Sequence, residues 1–183
     1  VIPPPEAAVI TNLGLEHTEI LGDTIEEIAF EKGGIIKSGT CVVSYDSDPK
    51  ALSVLRNICN EKGVPFKIAD MANLTPAHCD LSGQYFNWKH EKGLFFPLLG
   101  EHQLHNANLA LEAISVLRER GWKISDDAVR KGLSMTRWPA RFEVLALEPV
   151  TILDGAHNPQ CAQALANSLS TYLPGERATF LMG

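Results

Sequence analysis

Apolar and polar positions follow two different periods along this chain. Ala7, Ala8, Val9 and Ile10 form a short unbroken apolar run stopped by Thr11-Asn12 and Gly14, which predicts a strand. From Gly22-Asp23-Thr24 the spacing becomes helical. Thr24 and Glu27, three residues apart, make a capping box in which each side chain satisfies a free backbone N–H. At about 100° per residue Ile25, Ile28, Ala29, Ile35 and Ile36 share one face, with Lys32 at its centre. This predicts a helix closed by Lys37-Ser38-Gly39.

The alternation continues. Thr40 to Ser44 predicts a strand, Pro49 to about Asn60 a helix with Leu52, Leu55 and Cys59 on one face, and Pro65 to Ile68 a strand. Strand–helix–strand order predicts an α/β fold with parallel strands. Met71 to Asp80 reads as polar loop. Gln84 to Lys89 and Leu94 to Leu98 read as a hairpin through His90 to Gly93. The longest helix is expected from Gly100 to about Arg120. Leu104, Ala107, Leu111 and Ile114 share one of its faces, and Ala110, Ala113 and Leu117 an adjacent one, so it is mostly buried. Ser125 caps a further helix ending near Met135. Strands follow at Phe142 to Leu147, Val150 to Leu153 and Ala178 to Met182. A helix from Pro159 to about Tyr172 separates the last two. Glu148-Pro149 is the expected boundary between domains.

Composition narrows the function classes. The chain has 183 residues, 45% of them hydrophobic and 21% charged, with a net charge of −6. That suits a folded domain or parts of two. No basic run argues for a nucleic-acid groove, and no apolar run has the length of a membrane span. Cys41, Cys59, Cys79 and Cys161 have neither CxxC spacing nor paired histidines. They read as reduced thiols of a cytoplasmic protein.

Several residues invite chemistry. A lysine centred on an apolar stripe must snorkel, pair with an acid or lose its charge. Lys32 is therefore either a packed stem meeting a carboxylate or a lysine with a chemical task. Asn106 reads as a hydrogen-bonded buried amide or a ligand contact. His102 and His105 stand three apart on a helix, as zinc ligands do, but lack an acidic or cysteine third ligand nearby. Tyr85, Phe86 and Trp88 suit sheet packing, or stacking of a flat ligand. Asp154 to Pro159 follows a strand, with Asn158 an N-cap and Pro159 at the first helical position. Asp154, His157 and a helix N-terminus then meet where open α/β sheets bind ligands, or form a capped turn with incidental side chains.

Four stretches together resemble one family. Gly14 to Lys37 resembles the G-L-D-H-T-x-x-L-G-x-T-x-x-x-I-A-x-E-K-A-G-I-I-K segment of folylpolyglutamate synthases and dihydrofolate synthases of the Mur ligase superfamily. Glu16 replaces Asp there, and Gly33 replaces Ala. Leu98 to Ala107 resembles L-x-G-x-H-Q-x-x-N-A, and Trp138 to Arg141 resembles W-P-G-R with Ala140 for Gly. Leu153 to Pro159 matches L-D-G-A-H-N-P without change. The motifs occur in order and span nearly the whole chain.

The resemblance implies an ATP-dependent ligase joining L-glutamate to a carboxylate of a folate or dihydropteroate through an acyl phosphate. It implies that His17 binds magnesium, and that Lys32 is carbamylated, catalytic and part of the metal site. Asn106, Arg141 and Asp154 would contact ATP, with His157 catalytic near the incoming glutamate. The family's phosphate-binding loop, G-T-N-G-K-G-S, has no counterpart in this sequence. The expectation is therefore the later part of a P-loop ATPase domain, residues 1–148, followed by the start of a Rossmann-like C-terminal domain, residues 149–183. The protein is expected to be a monomer, inactive as this piece alone. Two other classes compete with the ligase. One is an inert nucleotide- or metabolite-binding fragment; the other is a metallohydrolase built on Glu16 and His17.

Overall fold

The computed structural model describes residues 3–14 and 23–183, and these divide into two compact units. The first comprises Val1–Leu74 and His105–Asp126, the second Thr75–Leu104 and Asp127–Gly183. The expected boundary at Glu148-Pro149 lies inside the second unit.

The first unit is α/β, as the alternation predicts. Its elements are β1 (Ala7–Ile10), α1 (Ile25–Gly33), β2 (Cys41–Tyr45), α2 (Pro49–Lys62), β3 (Phe66–Ala69) and most of α3 (Glu101–Glu119). The strands form a parallel sheet in the order β1-β2-β3, with Ala8 opposite Val42 and Val43 opposite Lys67. Parallel strands need crossovers, and their sheets are covered on both faces. Side-chain alternation accomplishes this here. Ala8, Ile10 and Val42 cluster with Ala29 of α1 and Ala51, Leu55, Ile58 and Cys59 of α2. Cys41, Val43 and Ala69 cluster with Leu109 and Val116 of α3. At roughly 1.5–3 kcal/mol per fully buried large apolar side chain, these two layers carry the unit.

In the second unit β4 (Leu74–Asp80), β5 (Gly83–Trp88) and β6 (Glu91–Phe96) form a three-stranded sheet. A β5–β6 hairpin is present as expected, but its turn is Lys89-His90 and β6 begins at Glu91, inside the stretch expected as the connection. Met71 to Asp80, expected as loop, instead holds a 3₁₀ turn at Met71–Asn73 and then β4. Its residues after Leu74 are exposed, so period-2 burial was never there to be read. Then come α4 (Asp126–Ser134), the antiparallel pair β7 (Glu143–Leu147) and β8 (Val150–Leu153), and α5 (Pro159–Tyr172). Glu148-Pro149, a cis peptide, is the turn joining β7 to β8. Ala178 to Met182 forms no strand, and Leu181 is 98% exposed. An apolar run becomes a strand only where a neighbour completes its ladder, and no described residue does so.

Candidate functional site

The Glu16 and His17 assignments fall outside the described residues. Lys32 is described, and its surroundings differ from the expectation. Helix α1 stops at Gly33, and the Gly34 N–H closes it onto Glu31 and Lys32 carbonyls. Ile35 and Ile36 therefore lie beyond the helix, and the face drawn through them does not exist. The buried stripe is Ile28, Ala29 and Gly33, whereas Lys32 is exposed. Gly33 packs against α2: a Cβ there would stand 2.5 Å from Ile58 Cδ1. Lys32 thus does not occupy the apolar face that the spacing predicts. The Thr24–Glu27 capping box is present, with Glu27 Oε2 accepting the Asp23 and Thr24 N–H groups at 2.9 and 3.1 Å.

On α3, Asn106 is exposed. The buried amide is Asn108, 1% exposed, which donates to the Ala69 carbonyl at 2.9 Å and ties α3 to the end of β3. Helical periodicity cannot rank two asparagines two residues apart without knowing which face meets the sheet. His105 stacks on Tyr45 at 5.4 Å. Among the described residues no group of three His, Cys, Asp or Glu side chains could hold a metal ion. Gly100, ahead of α3 in the second unit, has φ +105, and a Cβ there would stand 2.8 Å from Ser168 Oγ. Only glycine suits that position.

Arg141, Asp154 and His157 all lie in the second unit, around one turn. Asp154 directly follows β8, and both its carboxylate oxygens are used. Oδ1 accepts the Ala156 N–H at 2.8 Å, an Asx turn, and Oδ2 accepts the Phe142 N–H at 2.7 Å. The Gly155 N–H donates to the Ala140 carbonyl at 2.8 Å. Asn158 caps α5 by accepting the Cys161 N–H at 2.8 Å, with Pro159 following it. His157 is exposed, and its Nδ1 lies 2.9 Å from the Gly155 carbonyl. A carbonyl can only accept, so Nδ1 carries the proton in this contact. The neutral ring then presents an Nε2 lone pair.

Arg141 is exposed and pairs with no described residue. Its neighbours Ala140 and Phe142 have φ of 57° and 47°, in the left-handed region. Phe142 is buried and lies against Tyr172, ring centroids 5.6 Å apart. The Tyr172 hydroxyl accepts the Gly100 N–H at 3.1 Å, and burial pushes its pKa up to about 12. Glu143 accepts the Ala140 N–H through Oε2 at 2.9 Å. Sequence reasoning missed Glu143. The signal was available, since it stands three residues after the amide it accepts, as Glu27 does after Thr24.

Residues 2–114 match the family model of the Mur ligase middle domain. The chain belongs to the Mur ligase family. Within that family it is homologous to folylpolyglutamate and dihydrofolate synthases. It is 37% identical over 179 residues to a dihydrofolate synthase/folylpolyglutamate synthase of Bacillus subtilis, covering 94% of this chain and 42% of that protein. A folylpolyglutamate synthase of Lacticaseibacillus casei is 33% identical over 171 residues, covering 90% of this chain and 40% of that protein. Among solved structures, Mycobacterium tuberculosis folylpolyglutamate synthase, complexed with ADP and AMPPCP, superposes with a TM-score of 0.79 at 32% identity. That match covers 91% of this chain and 39% of the other. The chain spans less than half the length of these relatives. No described helix is long and apolar enough to cross a membrane.

Proposed function

We propose that this chain is part of an ATP-dependent ligase that joins L-glutamate to a carboxylate of a folate or of dihydropteroate. The observation that carries the reading is the unchanged Asp154–Pro159 turn, with its aspartate, histidine and helix cap all engaged, in a chain homologous to such ligases. A carboxylate does not condense with an amine at neutral pH, because its leaving group would be an oxide. Transfer of the γ-phosphoryl group of ATP to the carboxylate oxygen gives an acyl phosphate and ADP. Attack by the glutamate amine then forms the amide and expels phosphate. Phosphoryl transfer is carried by positioning and charge neutralisation.

In this reading Arg141 places its guanidinium fork on phosphate oxygens, a geometry that an ammonium would not reproduce. Asn106 and Asp154 complete the nucleotide contacts. Asp154 already accepts two backbone N–H groups, and the lone pairs left on its oxygens suit ribose hydroxyls. His157 faces the glutamate, where the Nε2 lone pair can accept a proton from the attacking amine. Magnesium, when bound, would screen the phosphate charges. The reading assigns it to His17 and a carbamylated Lys32. The described residues do not by themselves complete a magnesium site, and the steps above rest on none. Lys32 being exposed, a carbamate there depends on charge partners and not on burial.

The test is ADP release by the full-length protein. Release is expected only when ATP, L-glutamate and a pterin carboxylate acceptor are all present. Nucleotide binding without glutamate-dependent turnover would favour an inert binder.

A further inference from the structure

Arg141 sits between two residues that L side chains rarely allow. Ala140 has φ 57° and Phe142 φ 47°. A left-handed conformation strains a residue that carries a Cβ, so the turn persists only where its surroundings hold it. Three hydrogen bonds do so. The Gly155 N–H meets the Ala140 carbonyl at 2.8 Å, the Phe142 N–H meets Asp154 Oδ2 at 2.7 Å, and the Ala140 N–H meets Glu143 Oε2 at 2.9 Å. The buried Phe142 ring anchors the far side. Between these fixed points Arg141 is the one residue whose side chain is turned outward, unpaired among the described residues.

We propose that Glu143 is a positioning residue: with Asp154, its carboxylate locks the left-handed Ala140–Phe142 turn and so fixes the direction of Arg141. The proposal rests on the reading that Arg141 meets nucleotide phosphate. Glu143 needs no contact with substrate. Its effect passes through the Ala140 amide, and Ala140 makes that effect necessary. A glycine at 140 would adopt the same φ without strain, and the turn would then depend less on Glu143. A pre-set fork loses less entropy on binding than one that must be ordered by its ligand.

The test has two arms, both in the full-length protein. Hydrogen exchange over residues 138–145 reports the turn alone. Glu143→Ala should speed exchange of the Phe142 amide at least about tenfold, while Glu143→Gln, which keeps an acceptor oxygen, should stay near wild type. Calorimetric titration with a non-hydrolysable ATP analogue reports the consequence. Glu143→Ala should weaken binding about tenfold, Glu143→Gln should restore it, and Ala140→Gly in the Glu143→Ala background should recover most of the loss. The thermal midpoint should move little, which separates positioning from general damage. Unchanged exchange in Glu143→Ala overturns the proposal. So does faster exchange with unchanged affinity, or a binding loss that Ala140→Gly does not lessen. If the wild type binds no nucleotide, the ligase reading fails together with the role given to Arg141, while the exchange arm still reports whether Glu143 holds the turn.

Discussion

The last turn of α1 and the turn before β7 each present one cation to solvent, Lys32 in the first case and Arg141 in the second. They are built in opposite ways. Lys32 stands on a regular helix whose backbone is satisfied by its own ladder, and its side chain contributes nothing described to holding that helix. Its neighbour Gly33 is the packed residue, buried against Ile58 and Leu55. Arg141 stands on an irregular turn with no ladder, so side chains must supply what a helix supplies for itself. Asp154 and Glu143 accept its flanking amides, and Phe142 is driven into the unit. Mutational cost therefore falls differently at the two sites. At Lys32, chemistry and stability are separable, because the functional atom hangs from a scaffold that does not need it. At Arg141 they are coupled through Asp154, whose carboxylate holds the Phe142 and Ala156 amides of the backbone while it orients the cation.

The largest effect expected from this difference is at Asp154. Asp154→Ala removes two charge-assisted hydrogen bonds and leaves the Phe142 amide without its acceptor, so the cost should be about 2 kcal/mol or more. Denaturant unfolding of the full-length protein should register this together with loss of turnover. Full stability with lost turnover would mean that Asp154 acts on the ligand alone, and the coupling drawn here would be wrong.

A smaller effect probes the α1 side. Alanine favours a helix over glycine by about 1 kcal/mol, but at position 33 its methyl would meet Ile58 Cδ1. Gly33→Ala should therefore be close to neutral alone. In an Ile58→Val background, which removes that carbon, it should stabilise by about 1 kcal/mol. The same value in both backgrounds would show that α1 and α2 do not touch at this point.

The smallest effect is electrostatic. The Thr24 side-chain hydrogen bond, then the Thr24 and Asp23 amides, hold the Glu27 carboxyl below its ordinary pKa. A depressed folded pKa contributes stability that is present above the ordinary glutamate value of about 4.3 and is lost as pH falls through the lower folded value. Acid titration of helicity should show this limb, and Glu27→Gln should flatten it. A limb unchanged by Glu27→Gln would assign the acid sensitivity elsewhere.

The parts of the molecule legible in the sequence were those fixed by short-range rules. The capping box at Thr24, the caps at Asn158 and Pro159, and the parallel β1-β2-β3 alternation follow from residues a few positions apart and from burial on both faces of one sheet. The errors came where a local pattern was carried past its physical limit. Helical spacing carried through Gly33-Gly34 to Ile35 and Ile36 puts Lys32 on an apolar face, but the helix stops at Gly33 and its buried stripe of Ile28, Ala29 and Gly33 leaves Lys32 outside. Asn106 and Asn108 differ only in which one meets β3, a tertiary fact. In Ala178 to Met182 strand propensity was present without a partner among the described residues. The Arg141 turn was half legible. The motif singled out Arg141 and Asp154, and Ala140 was a visible departure from glycine. That Asp154 spends its oxygens on backbone, and that Glu143 joins it, required the fold.

The contrast between the two cations is tested most directly by titrating a non-hydrolysable ATP analogue into the full-length wild type, Arg141→Ala and Lys32→Ala. Turnover is measured on the same preparations. Arg141→Ala should weaken analogue binding by at least about tenfold, near 1.4 kcal/mol. Lys32→Ala should change stability by no more than about 0.5 kcal/mol and bind the analogue within about threefold of wild type, under 1 kcal/mol, while losing nearly all turnover. Equal analogue affinity in all three proteins, or normal turnover by Lys32→Ala, would contradict the account.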